Sequence, residues 1–259
     1  MADAVRAASP AAAVLVTTTA PRHSAVVRGT HWITVICFVA LLISGIEIVI
    51  SHPRFYWGET GNVLTPSLFD LPIPASRSYV PTGYNFVLPD QNGWSRSLHF
   101  QAAWIIVFTG LLYTVFAVFT RHLQKHLLPA RSDLAWAVFS RVLIRHLRFN
   151  PPSEAEAWSY NLLQRLTYMF VIFVVFPLMI WTGLAMSPAI VSVFPGAVTV
   201  LGGHQSARTI HFFASVTLVL FLFVHVLMVY RAGFRNRMLG MITGRGSDIR
   251  STDDQPLSP

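Results

Sequence analysis

The sequence predicts an all-α protein, a transmembrane four-helix bundle with an additional cytoplasmic amphipathic helix. Composition and pattern together lead there. Of 259 residues, 53% are hydrophobic and only 12% are charged, about half the charged share of a soluble domain. The apolar residues are gathered into four stretches, about His31–Ile50, Ser97–Thr120, Leu166–Ser187 and Thr209–Tyr230. Each reaches the roughly 20 residues that a helix needs to cross the hydrocarbon core. Lipid offers no water to unmet backbone N–H and C=O groups, so isolated strands are excluded and the crossings must be helical.

Along the chain, residues 1–24 are rich in Ala and Thr, with weak positive charge and only a short apolar run. They make a poor signal peptide and read as a disordered tail. Residues 25–240 form the expected membrane domain, and 241–259 a second disordered tail. After the first span, the connection Ser51–Trp94 is long, polar and proline-rich, with aromatic residues through it. Long ordered loops usually have a task; this one either covers a site or receives a partner, or is an ordinary loop with interfacial aromatics. Between spans two and three, Ser132–Phe149 alternates apolar and basic residues at helical spacing. Ser132 and Asp133 offer an N-cap, and Asn150-Pro151-Pro152 ends the run. It reads as a helix lying on the membrane surface, with partner contact as the other reading. The stretch Ala189–Gly203 is apolar but too broken by Pro188, Pro195 and Gly202-Gly203 to span, so it is expected to be a short external segment. The fourth span, Thr209–Tyr230, holds no Asp, Glu, Lys or Arg.

Basic residues set the orientation. The two terminal tails and the segment between spans two and three hold fifteen of the 19 Lys and Arg residues. The other side carries Arg54, Arg77, Arg96 and Arg208. The positive-inside rule then places both termini in the cytoplasm. The same distribution accounts for the net charge of +8 without nucleic acid as a partner. The single cysteine, Cys37, excludes a disulfide within the chain, and no Cys-x-x-Cys-His exists for covalent haem attachment.

The histidines are the most informative side chains. His211 and His225 stand fourteen residues apart in one span. Fourteen residues turn a helix through about four turns less 40°, and rise roughly 21 Å. Both imidazoles therefore share a face, one near each membrane surface. His31 opens span one on the cytoplasmic side, and His99 lies near the external start of span two. Topology pairs His31 with His225 inside and His99 with His211 outside. Imidazole is costly to leave unpaired in lipid. Haem iron accepts two axial imidazoles, and facing helices of a bundle can supply them. The other readings are hydrogen bonds between helices, or a metal site, which would want more ligands at one depth. Gly45 follows His31 by fourteen residues, and Gly110 follows His99 by eleven, so each of these spans offers a ligand at one depth and a missing side chain at the other. That leaves room for a flat macrocycle, or serves close helix packing. Arg28 inside, with Arg96 and Arg208 outside, either neutralises haem propionates or snorkels to the interface. The role of Glu47, the acid within a span, and of His204, just before span four, stays open.

Several segments resemble the bacterial di-haem cytochrome b family that includes the cytochrome b subunit of nickel–iron hydrogenases and cytochrome b561-like proteins. These are Arg28-Gly29-Thr30-His31-Trp32, Ser44-Gly45, His99, Tyr160-Asn161-Leu162-Leu163-Gln164-Arg165, Thr182-Gly183-Leu184-Ala185-Met186, His211 and His225. The resemblance covers about residues 22–240. It implies two haem b groups in a four-helix bundle of the bacterial inner membrane, carrying electrons between the quinone pool and a partner. The external segment Phe55–Asn62 departs from the hydrogenase subunit. It looks more like relatives that accompany a periplasmic molybdopterin oxidoreductase, with a hydrogenase as the alternative partner. Asn161, Gln164 and Tyr230 are candidate polar contacts to quinone. The competing class is a non-redox membrane anchor or small transporter whose histidines relay protons or bond helices.

Overall fold

The computed structural model describes residues 23–62, 64–73, 92–121 and 162–244, with single residues at 128, 136, 137, 140 and 144. The expected tails, apart from a few residues at their inner margins, lie outside the described residues. So does most of the expected surface helix Ser132–Phe149, of which Trp136, Ala137, Ser140 and Ile144 are described and helical.

Four long helices stand where the apolar stretches predict them: α1 (Ala25–Ser51), α2 (Asn92–Phe119), α3 (Leu162–Ala185) and, after two short helices, α6 (His204–Arg231). Each begins about a turn or more before its apolar stretch. Helical hydrogen bonding continues past the apolar boundary wherever a cap is available. Ser24 supplies one to α1, its side chain accepting from the Val27 N–H at 3.3 Å.

Within α3, Val171–Val175 is π-helical and runs into Pro177 at the start of the next α-helical turns. Proline has no N–H to donate and its ring crowds the carbonyl four residues back. A wider turn just ahead of it absorbs both defects without breaking the span.

The short helices α4 (Pro188–Val193) and α5 (Gly196–Thr199) occupy the stretch judged too interrupted to span. α7 (Phe234–Thr243) runs through the expected end of the membrane domain at 240. It is tied back to the start of α1, where the Arg28 guanidinium donates to the Ile242 carbonyl at 2.9 Å and the Trp32 indole to Met241 at 3.2 Å.

The connection after α1 forms a two-stranded antiparallel hairpin, β1 (Arg54–Phe55) with β2 (Phe69–Asp70), pairing Arg54 with Asp70 and Phe55 with Phe69. The two Phe rings stack at 4.7 Å, and Phe212 of α6 packs on Phe55 at 4.4 Å. The loop therefore folds down onto the start of α6. The end of the bundle bearing this hairpin is the hairpin end; the opposite one, where α1 starts and α7 lies, is the terminal end.

Buried contacts between helices are made by small and medium side chains. Cys37 of α1 meets Ala102 and Ile106 of α2, and Val171 and Val175 of α3 meet Ala214 and Leu218 of α6. The outward faces carry large apolar residues such as Ile36, Phe108 and Phe223, each at least 63% exposed. Small residues inside and bulky apolar residues outside is the arrangement expected where lipid, not water, is the solvent. With four helices long and apolar enough to cross a membrane, the chain is a multi-pass membrane protein.

Candidate functional site

At the hairpin end, α2 and α6 bring His99 and His211 together, ring centroids 6.3 Å apart and planes tilted by 57°. Each ring is anchored from behind by a hydroxyl. The Ser44 Oγ donates to the Ala40 carbonyl at 2.7 Å and lies 3.0 Å from His99 Nδ1. The Thr182 Oγ1 donates to the Leu178 carbonyl at 2.7 Å and lies 2.8 Å from His211 Nδ1. A hydroxyl has one proton to give. With that proton committed to the carbonyl, Ser44 and Thr182 act as acceptors, and both imidazoles carry their hydrogen on Nδ1. The tautomer follows from the hydrogen-bond network. It leaves the Nε2 lone pairs available.

Each hydroxyl residue is followed by glycine. A Cβ built on Gly45 would sit 3.6 Å from His99 Cε1, and one on Gly183 would sit 3.6 Å from His211 Cε1. The hydroxyl holds the ring, and the glycine lets the helix backbone approach its edge. Ser44 and Thr182 are fully buried, so water cannot replace them. The sequence reading missed this role, although Ser44-Gly45 and Thr182-Gly183 are the same hydroxyl–glycine pair on two spans.

At the terminal end, α1 and α6 bring His31 and His225 together at 6.5 Å, planes tilted by 51°. Aromatic rings surround this pair. Trp32 lies edge-on to His31 at 5.5 Å, and Phe221 and Tyr168 pack on His225 at 5.7 and 6.3 Å. His31 Nδ1 is buried without a hydrogen-bond partner among the described residues, and so is Nε of Arg28, one turn earlier on α1. An unmet buried polar atom costs about 1–3 kcal/mol, so the Arg28 Nε marks a place that an acceptor on a bound group would complete.

Both pairs suit a metal that already holds four ligands in a plane. A metal-bound imidazole nitrogen stands about 2.0 Å from the metal. The ring centre lies about 1 Å further back, so two imidazoles sharing one iron have centroids about 6 Å apart. The separations of 6.3 and 6.5 Å match that spacing. Among the described residues, no cluster of three or more His, Cys, Asp or Glu side chains forms. The donor set at each depth is thus two imidazoles from different helices.

The remaining candidates are placed as follows. Gly110 has nothing within 4 Å of a built Cβ and is exposed. Arg96 is exposed. Arg208 is engaged by the loop: its guanidinium donates to the carbonyls of His52 and Arg54, the latter at 2.8 Å, and stacks over Phe55 at 5.0 Å. Of the residues considered for quinone, Asn161 lies outside the described residues, Gln164 is half-buried and Tyr230 is exposed. Glu47 is half-buried on α1. His204 opens α6, where its N–H donates to the Glu59 carboxylate at 3.1 Å and its Nε2 lies 3.5 Å from the same group. Glu59 thus caps, from the loop, the helix that bears His211 and His225.

The loop is clipped to α6 at further points. The Gly58 carbonyl accepts from the Gln205 and Ser206 N–H groups at 3.0 and 3.2 Å, the Gly58 N–H donates to Ser206 Oγ at 2.8 Å, and Thr209 Oγ1 donates to the Tyr56 carbonyl at 2.7 Å. The loop is therefore built into the hairpin end, one helical turn or two from His211.

A bundle of apolar spans that pairs imidazoles at two depths defines a membrane protein of the haem-binding kind. The chain belongs to the prokaryotic cytochrome b561 family, whose profile matches residues 22–244. It is accordingly a membrane subunit that binds haem b and transfers electrons. It is also similar to the "Putative protein-methionine-sulfoxide reductase subunit YedZ1" of Azospira oryzae, 28% identical over 227 residues, covering 86% of this chain and 96% of that protein. No solved structure matches it significantly.

Proposed function

We propose that the chain holds two haem b groups and carries electrons across the bacterial inner membrane, between the quinone pool and a periplasmic molybdopterin oxidoreductase. His99 and His211 ligate the outer haem and His31 and His225 the inner one, both termini lying in the cytoplasm. The observation that carries this reading is the pairing of four imidazoles, two by two, at about the spacing one iron requires.

Haem supplies a reversible one-electron centre when bound; the chain supplies binding, orientation and dielectric. With the Nδ1 atoms of His99 and His211 held by Ser44 and Thr182, their Nε2 lone pairs are left to bind the iron. Fourteen residues of α6 set the two depths about 21 Å apart, centre to centre, which leaves the edges of two macrocycles much closer. Arg28, with its unmet Nε at the terminal end, would pair with the acidic groups of the inner haem. On the outer side Arg96 takes that role, since Arg208 is committed to loop carbonyls. Gly45 admits the edge of the His99 ring, and Gly110, with open space around it, would leave room for the inner macrocycle. The electron partner docks on the hairpin end. The name of the Azospira relative narrows its substrate class to oxidised methionine in proteins.

The test is pyridine haemochrome analysis and reduced-minus-oxidised spectroscopy of the purified protein, which should give two haem b per chain. His211→Ala and His99→Ala should remove one spectral component, and His225→Ala and His31→Ala the other. If His211→Ala and His225→Ala remove the same component, the depth pairing is wrong. Affinity purification from native membranes should bring down the oxidoreductase; a hydrogenase in its place would reassign the partner.

A further inference from the structure

The two imidazole pairs differ in what stands behind them. At the hairpin end, His99 and His211 each donate from Nδ1 to a buried hydroxyl that is itself polarised by donating to a helix carbonyl. At the terminal end, His31 Nδ1 has no acceptor among the described residues, and its nearest ring neighbours are aromatic.

A hydrogen bond from the distal nitrogen of an imidazole draws positive charge away from the ring. The ring becomes a stronger donor to a bound metal and is fixed in orientation. A stronger donor favours the oxidised metal, and second-shell hydrogen bonding is one of the levers that set haem potentials. Ser44 and Thr182 are thereby placed to act on the iron through the histidines without touching it.

We infer that Ser44 and Thr182 are positioning residues which make the hairpin-end haem the lower-potential of the two, so that an electron shared between the sites rests preferentially at the terminal end. In that distribution the hairpin-end haem is oxidised and the terminal-end haem reduced, one electron being exchanged. The inference rests on the two-haem reading above.

The experiment is a spectroelectrochemical titration of the purified full-length protein, with haem content measured on the same samples. The component lost in His211→Ala should titrate at lower potential than the one lost in His225→Ala. Ser44→Ala should raise the lower potential and leave the higher one in place. A shift of about threefold to tenfold in the ratio of reduced to oxidised outer haem is expected, tenfold being about 59 mV for a one-electron couple. Thr182→Val, which removes the hydroxyl behind His211, should act in the same direction. Thr182→Ser, which keeps the hydroxyl, should restore the wild-type value. If Ser44→Ala loads poorly, Thr182→Val and Thr182→Ser read the same plane from its other side. Two haems with an unmoved lower potential, equal shifts in both, or a reversed order would overturn the inference and leave the two-haem reading standing. Wild-type protein with fewer than two haems would end both.

Discussion

Replacing Gly203 by alanine tests whether the loop after α1 is part of the bundle or an appendage to it. Gly203 has φ 114° and ψ 172°, a region open in practice only to glycine, where another residue is strained by about 1–3 kcal/mol. A Cβ there would also lie 2.5 Å from the Gly58 oxygen and 2.7 Å from the Glu59 nitrogen. Both are backbone atoms, so relief requires moving the loop. Moving it releases the Gln205 and Ser206 N–H groups from the Gly58 carbonyl, at about 0.5–1.5 kcal/mol for each bond. Strain and lost bonds together come to about 2–6 kcal/mol. For a domain of this size each kcal/mol lowers the melting midpoint by about 2–4 °C. The assay is thermal unfolding in detergent, followed through the haem absorption, with limited proteolysis of residues 52–73 alongside. Gly203→Ala should melt at least 4 °C below wild type and be cut in the loop at temperatures where wild type is not. A midpoint within 2 °C and an unchanged cleavage pattern would refute the argument that the loop is clipped to α6 through Gly58.

Arg208→Lys should loosen the same loop, since one guanidinium nitrogen donates to both the His52 and Arg54 carbonyls while the planar group lies over the Phe55 ring, and an ammonium has no flat face to stack there; proteolysis within 52–73 should rise several-fold, and equal resistance would count against the contact. His52, just beyond the end of α1, is held below the ordinary imidazole pKa by burial first and then by the Arg208 guanidinium, with a smaller push from Arg96 against the opposing Ile48 carbonyl. Its neutral form is the folded one, so the stability it contributes is present above about pH 6.5 and lost as pH falls through the lowered folded value. The melting midpoint should therefore drop on acidification below about pH 6, and His52→Gln should flatten that slope; an unaltered slope would remove His52 from the account. Gly45→Ala should be tolerated, because its Cβ meets His99 Cε1 at an ordinary 3.6 Å. Gly45→Leu should displace that ring and perturb the spectral component assigned to His99 and His211 alone; loss of both components together would mean general misfolding.

What could be read from the sequence depended on the reach of each signal. The spans were legible because lipid imposes one length and one composition on every crossing. The pairing of His31 with His225 and of His99 with His211 was legible because successive spans alternate in direction, which fixes the relative depth of each residue. Neither step needs side-chain detail. The hydroxyls behind His99 and His211 escaped because Ser44 and Thr182 belong to helices other than those carrying the histidines, at separations of 55 and 29 residues. No periodicity along one span can show such a contact. The engagement of Arg208 by the hairpin was hidden for the same reason: its acceptors are backbone carbonyls about 155 residues away, and any residue type supplies a carbonyl. The π-helical turn before Pro177 was in principle readable, since a proline inside an apolar span must disturb the turn ahead of it. α7 was not, because its content is mixed and its place is fixed by Arg28 and Trp32 reaching its last carbonyls. The histidine positions are thus written in one helix at a time, whereas the groups that orient those rings arise only between helices. That division is why the hydroxyl–glycine pairs, once seen in three dimensions, carry the inference about unequal potentials that the histidine spacing alone does not.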